Sequence, residues 1–308
     1  MPRTRDTLSY PLMMTSADAY AACSELARSH YENFPVGRLV PKRLRPHVHA
    51  VYAFARVSDD IADEGYADPR LPKPTTALPR EERLAQLRAY REEFRRWMDG
   101  ADDDSPHGWI FLPLRMTIRQ FDLPTSLFYD LLSAFEQDIV KRRYANFTEV
   151  LDYCVRSANP VGRLVLLLHG YRDDQRFAWS DAICTALQLA NFWQDVAVDL
   201  IKDRIYLPED ERRKFNVSEG QLFALDATPA YRELLRFQVE RTQGIFDQGR
   251  PLAASLRGLL SLEISLTWHG GTTILKKIRR LNYDTLTRTP KLAKWNVPLL
   301  LVNALTNR

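Results

Sequence analysis

Two pairs of aspartates in this 308-residue chain share one spacing. Asp59 and Asp63 lie in YAFARVSDDIAD (residues 52–63), and Asp195 and Asp199 lie in LQLANFWQDVAVD (187–199). A spacing of four stacks both carboxylates of a pair on one helix face, a turn apart. Each face extends further. Tyr52, Arg56, Asp59 and Asp63 make one polar stripe, and Gln188, Asn191, Asp195 and Asp199 make another. Around the first stripe stand Val51, Phe54, Ala55, Ile61 and Ala62. Around the second stand Leu187, Leu189, Phe192, Trp193, Val196, Val198 and Leu200. A helix apolar on nearly every side is a buried helix, so the acids are expected to face an internal cavity.

Stacked carboxylates repel by roughly 0.2–0.5 kcal/mol even in solvent, and unpaired burial costs far more. A compensating cation is therefore expected. Oxygen donors without a histidine or cysteine cluster point to a hard ion, Mg²⁺ first, which commonly joins carboxylates to substrate phosphates. The expected ligands are Asp59, Asp63, Asn191, Asp195 and Asp199. A single Asp-x-x-x-Asp is more often a solvated helix face. Recurrence on two apolar helices, with Arg56 and Asn191 on the same stripes, favours a metal site. Asp60 is open between a partner of the stripe and an ordinary polar residue.

The elements that position these stripes read as helices. Prolines punctuate long stretches of Ala, Leu, Arg, Glu and Gln, the good helix formers. The clearest amphipathic segment is residues 80–99, where Leu84, Leu87, Tyr90, Phe94 and Trp97 recur at spacings of three and four. Strand-type alternation over consecutive segments is absent, so the chain is expected to be all-α. The proline-rich stretch 66–79 and the acidic run 102–104 read as loops. No composition shift divides the chain, and a single domain is expected over 1–308, with 1–15 a flexible N-terminus.

Composition sets further bounds. The chain is 45% hydrophobic and 27% charged, which suits a globular protein. Its 12 glycines are few for nucleotide-binding loops. A net charge of +4 suits an anionic ligand but does not indicate nucleic acid. Cys23, Cys154 and Cys184 form no CxxC pair and read as buried thiols of a reducing compartment. No secretory signal and no apolar run of membrane-spanning length appears, so a cytoplasmic protein is expected, with contact at the inner membrane left open.

From about His30 to Trp295 the sequence resembles the squalene/phytoene synthase family of the trans-isoprenyl diphosphate synthase class. HYENF (30–34) is similar to the family's N-terminal diphosphate-contacting segment, and the two aspartate stretches are similar to its paired motifs. YCVRSANPVG (153–162) stands where the family has its central Tyr-Cys segment, and RIYLP (204–208) follows the second motif. The wording HYENFPVG, SANPVG and NFWQD resembles the branch of bacterial hopanoid biosynthesis that forms hydroxysqualene. The resemblance implies one helical bundle of the isoprenoid synthase type around a deep central cavity, with the aspartate stripes facing each other across its mouth.

It also implies the reaction. Presqualene diphosphate would be ionised with Mg²⁺, and water would capture the rearranged cation without NADPH. Association with the enzymes that form presqualene diphosphate and reduce the product is an implied partnership. The substrate-binding set is His30, Tyr52, Arg56, Asn191, Arg204, Tyr206 and Tyr283; salt bridging to Asp199 or Asp203 would explain Arg204 equally. Arg56 is expected to act on the leaving group. The central segment departs from the reducing enzymes at Arg156, Asn159 and Pro160. A helix break at Pro160 and the amide of Asn159 would aim a water, so Arg156 and Asn159 join Arg56 as expected catalytic residues. His169 and His269 read as structural, Phe192 and Trp193 as core, and the basic run at Lys276, Lys277, Arg279 and Arg280 as a solvated face. The alternatives are a squalene or phytoene synthase joining two prenyl diphosphates, and a non-catalytic scaffold. The scaffold is disfavoured by the four aspartates.

Overall fold

Helix-terminating residues divide the chain into a bundle, seen in a computed structural model that describes residues 15–29, 39–65, 76–101 and 105–291. The N-terminal half contains α1 (Ser16–Ser29), α2 (Arg45–Glu64), α3 (Arg80–Met98), α4 (Gly108–Phe121) and α5 (Ser126–Val140). Next come α6 (Phe147–Ser157), α7 (Asn159–Leu168), α8 (Asp174–Gln194) and the short α9 (Val196–Ile201). The remainder holds α10 (Glu209–Lys214), α11 (Glu219–Phe223), α12 (Pro229–Gly249), α13 (Pro251–Ser255) and α14 (Gly258–Arg280). No strand occurs among the described residues; an isolated bridge joins Arg143 to Ile205. His30, the segment HYENF and most of residues 1–15 and 66–79 lie outside the described residues, as does 102–104.

Local chemistry sets several helix ends. Pro46 opens α2, and Gly65 closes it in the left-handed region at φ 73°. Asn146, Asp173 and Thr228 cap α6, α8 and α12 through side-chain oxygens. Pro160 interrupts the helical path as expected: α6 stops at Ser157 and α7 starts at Asn159. Pro113 does not end a helix but lies inside α4. Its missing N–H leaves the Trp109 carbonyl without its helical donor, and the Cys23 thiol points at that oxygen from 3.6 Å. A second departure concerns the Asp195 stripe. The helix breaks there, with Asp195 at φ −106°, ψ 21° between α8 and α9. Backbone bonds from Asp195 to Asn191 and from Asp199 to Asp195, both 2.9 Å, keep the path helical enough to hold the stripe together.

Two apolar cores flank the shared helices α5 and α7. One gathers Phe54, Tyr90, Phe94, Phe111 and Phe128 from α2–α5. The other gathers Trp193, Tyr231, Leu235, Phe246 and Leu275 from α8, α12 and α14. Among the described residues α8 and α12 form the most extensive helix pair. Their approach requires Gly249, because a Cβ there would stand 2.7 Å from the Trp179 carbonyl oxygen. The expected apolar flanks of both aspartate helices are largely buried, but Val198 is 45% exposed. Cys23 and Cys154 are buried and Cys184 half-buried. Among the described residues no helix is long and apolar enough to cross a membrane.

Glu263 on α14 is 4% exposed, and its Oε2 has no hydrogen-bond partner. Burial pushes its carboxyl up to about 8. An acid with a raised folded pKa stays protonated longer in the native state. Its stabilising effect is therefore whole below the ordinary glutamate range and fades as pH rises through about 8. Glu263→Gln is expected to flatten the decline of melting temperature between about pH 5 and about pH 9 and to exceed wild type at the alkaline end. Parallel melting curves across that range would contradict this.

Candidate functional site

The first stripe rides on α2, whose buried Phe54, Val57 and Ile61 fix the rotation of the helix against the N-terminal core. Arg56 is held by Asp60 in a two-pronged pair, Nε to Oδ2 at 3.0 Å and an Nη to Oδ1. Asp60 is 3% exposed and is the buried partner of Arg56. The guanidinium also stands 3.9 Å from Asp59, whose side chain is 46% exposed. Its enclosure and the neighbouring carboxylate of Asp63 raise the Asp59 carboxyl above the usual range.

Asp63 marks where the two motifs meet. Lys202 approaches its Oδ2 at 2.6 Å, and Arg204 its Oδ1 at 3.1 Å. Both bases follow Asp199 closely in sequence. Arg204 thus pairs with neither Asp199 nor Asp203, the partners open to it from sequence. Asp203 adopts a left-handed backbone, φ 55°, and turns outward to Arg143 at 2.7 Å. Burial opposes ionisation of Asp63, but Arg204 and Lys202 prevail and hold its carboxyl below the usual range. Arg83 from α3 donates to the carbonyls of Ala62 and Asp63 at 2.5 and 3.2 Å, fixing the last turn of α2.

Behind this junction lies a buried network. Asp138 on α5 accepts from the hydroxyls of Tyr153 and Tyr206, the latter at 3.2 Å, while Arg204 donates to its backbone oxygen at 3.1 Å. Tyr206 stacks on Phe192 with ring centroids 3.6 Å apart, so Phe192 supports the site as well as the core. The Ile205 N–H bond to Arg142 O, 2.9 Å, pins Arg204 and Tyr206 beside α5. Burial pushes Asp138 up to about 6 against the opposing effect of Arg204. Burial and Asp195 push Asp199 up to about 7. Burial also raises Asp195, with Lys291 opposing.

A pocket of about 610 Å³ opens here. Its walls include Asp63, Asp138, Arg83, Arg142, Lys202 and Arg204, so it suits ions and not a hydrocarbon chain. Among the described residues no three carboxylate, histidine or cysteine side chains gather tightly enough to hold one ion. The donor set nevertheless fits a hard cation. Asp59 and Asp199 are pushed toward protonation by burial beside like charges, a condition a divalent ion would reverse, and every donor is oxygen.

The structure brings together Arg56, Asp59, Asp63, Asp199, Arg204 and Tyr206, with Asp195 next to Asp199. Tyr52 shares α2 with Arg56, Asp59 and Asp63 and is half-buried; Asn191 is exposed. Tyr283, at φ 59°, follows α14 and packs against the C-terminal core. Arg156 is not brought to the aspartates. It is held by Ser133, Gln137 and Asp152, tying α6 to α5. Asn159 is 6% exposed and accepts from Thr185 at 2.9 Å. Sequence reasoning missed Asp138, Tyr153, Lys202 and Arg83. The available signal for Asp138 was an acid on the Leu131–Phe135 face of an apolar helix, where an apolar residue is expected.

Comparison with known proteins identifies the family. Residues 26–296 match the family described as squalene/phytoene synthase. The chain is 32% identical to a hydroxysqualene synthase of Zymomonas mobilis over 73% of this chain and 71% of that one. It is 33% identical to a hydroxysqualene synthase of Rhodopseudomonas palustris, covering 76% and 75% of the two chains. The solved squalene synthase HpnC of Alicyclobacillus acidocaldarius superposes with a TM-score of 0.77 at 38% identity, covering 87% of this chain and 96% of that one.

The Arg56–Asp60 pair yields a test. Asp60→Asn keeps the shape but removes the charge that aims the guanidinium fork. Calorimetric binding of inorganic diphosphate with Mg²⁺ is expected to weaken about tenfold, with little change in helicity. Unchanged affinity together with a lower melting temperature would mean that the pair only braces α2.

Proposed function

The chain belongs to the squalene/phytoene synthase family, and from that premise we propose that it converts presqualene diphosphate and water to hydroxysqualene and diphosphate. In reaction class this is a carbon–oxygen lyase of hopanoid-type isoprenoid biosynthesis. The observation that carries the reading is the meeting of both motifs at Asp63, where Lys202 and Arg204 from the second motif's trailing segment reach the first stripe. A site built from both stripes suits a diphosphate with its counter-cations. The choice of product rests on the hydroxysqualene synthases among the relatives.

Asp59, Asp63, Asn191, Asp195 and Asp199 would hold Mg²⁺, which when bound neutralises the diphosphate and makes it a better leaving group. Arg56, aimed by Asp60, donates to the departing oxygens, and Arg204 and Tyr52 add donors of the same kind. Tyr206 is bound to the Asp138 carboxylate, whose backbone oxygen accepts from Arg204, so Tyr206 is assigned a supporting role through Asp138. Tyr283 and His30 stay assigned to the diphosphate by resemblance. Heterolysis of the carbon–oxygen bond leaves the electron pair on diphosphate and a carbocation on the prenyl skeleton. After rearrangement one water adds through its oxygen, and loss of its proton gives the alcohol. No reductant enters this balance, so NADPH is not needed. Asn159 and the helix break at Pro160 are assigned to aiming that water, with Arg156 on α6 bracing the same segment against α5. The enzymes that supply presqualene diphosphate and reduce the alcohol are the natural partners.

A second reading, reductive or condensing synthesis, is favoured by the name of the solved relative, a squalene synthase. The two readings separate in one experiment. Purified protein given presqualene diphosphate and Mg²⁺ in ¹⁸O-labelled water, without NADPH, is expected to yield hydroxysqualene carrying the label by mass spectrometry, and no product after EDTA. An unlabelled alcohol, or squalene formed solely on addition of NADPH, would overturn the proposal.

A further inference from the structure

Lys202 reaches from the turn after α9 across to the first stripe, and its contact with Asp63 is open to solvent: 48% of the lysine side chain and 27% of the aspartate side chain are exposed. Arg204 holds the other oxygen of the same carboxylate, but it differs in mobility. Its side chain is 11% exposed and also tied to the Asp138 carbonyl. Lys202 is thus the exchangeable member of the pair, since exposed ion pairs on flexible side chains are weak. Lys202 lines the pocket of about 610 Å³ together with Arg83, Arg142 and Arg204.

We propose that Lys202 is a diphosphate-binding residue held on Asp63 until a divalent cation takes that carboxylate. The inference rests on the reading above that metal and diphosphate both bind here. A cation ligated by Asp63 repels the ammonium and removes its acceptor. The neighbouring Asp203 offers no replacement, being engaged by Arg143 at 2.7 Å. Asp199 is itself assigned to the cation. Glu64 and Asp138 also line the pocket, Asp138 being engaged by Tyr153 and Tyr206, and a bound anion adds an acceptor there to which a lysine presents a compact, freely rotating charge. Metal alone must displace Lys202, and diphosphate alone finds Lys202 occupied. Each ligand therefore promotes the other, and by linkage the promotion is reciprocal.

Isothermal calorimetry on the full chain tests this with three titrations: Mg²⁺ alone, inorganic diphosphate alone, and diphosphate in saturating Mg²⁺. For Lys202→Ala, Mg²⁺ alone is expected to bind about fivefold tighter, because its competitor is gone. Diphosphate with Mg²⁺ is expected to bind about tenfold more weakly, because a charged donor is gone. Lys202→Arg should restore most of the diphosphate affinity. A variant that shifts both affinities in the same direction, or neither, overturns the inference and leaves the family reading intact. Wild-type protein that binds diphosphate equally with and without Mg²⁺ overturns both.

Discussion

Carboxylates crowded together inside a protein must be neutralised, and much of this structure is arranged around that requirement. α2 and the α8–α9 segment bring Asp59, Asp63, Asp195 and Asp199 to one end of the bundle, where enclosure and like charge raise Asp59, and burial beside Asp195 pushes Asp199 up to about 7. Protein cations relieve one of the four strongly: Asp63, held by Lys202 and Arg204. The remainder are left in the state that a divalent ion and its anion would complete. Asp60 is buried and committed to Arg56, so that this guanidinium is fixed mainly by a residue outside the stripe, with Asp59 at 3.9 Å.

Positioning of the site depends on the segment between α9 and α10. The bridge between Arg143 and Ile205 fastens it to the end of α5, and Tyr206 is clamped between Phe192 and the Asp138 carboxylate. Arg204 is thereby delivered to Asp63 from the far half of the sequence. Arg83 does the corresponding work for the first stripe by holding the carbonyls at the end of α2. Removing either support would leave the aspartates present but their counter-charges misplaced.

Much of this was legible in the sequence because helix periodicity is local. The spacing of Asp59 to Asp63 and of Asp195 to Asp199 predicts a shared face from a few residues of chain, and the apolar surroundings predict burial. The helix at 80–99 and the break at Pro160 follow from equally local signals. What could not be read depends on contacts between distant segments. Asp138 meets Tyr153 and Tyr206 solely in the folded bundle, and Arg204 finds Asp63 across 141 positions rather than its near neighbours. The break at Asp195 carries no glycine or proline to announce it. Pro113 misleads in the opposite sense, because a cysteine from another helix faces the carbonyl it leaves open.

The central claim is that the two stripes serve one shared metal–anion site. Anomalous diffraction from crystals soaked in Mn²⁺ and inorganic diphosphate tests it most directly. The account predicts manganese peaks bound by carboxylates of both stripes and joined through a single diphosphate beside Arg56 and Arg204. Manganese confined to one stripe, or diphosphate seated away from both, would contradict it.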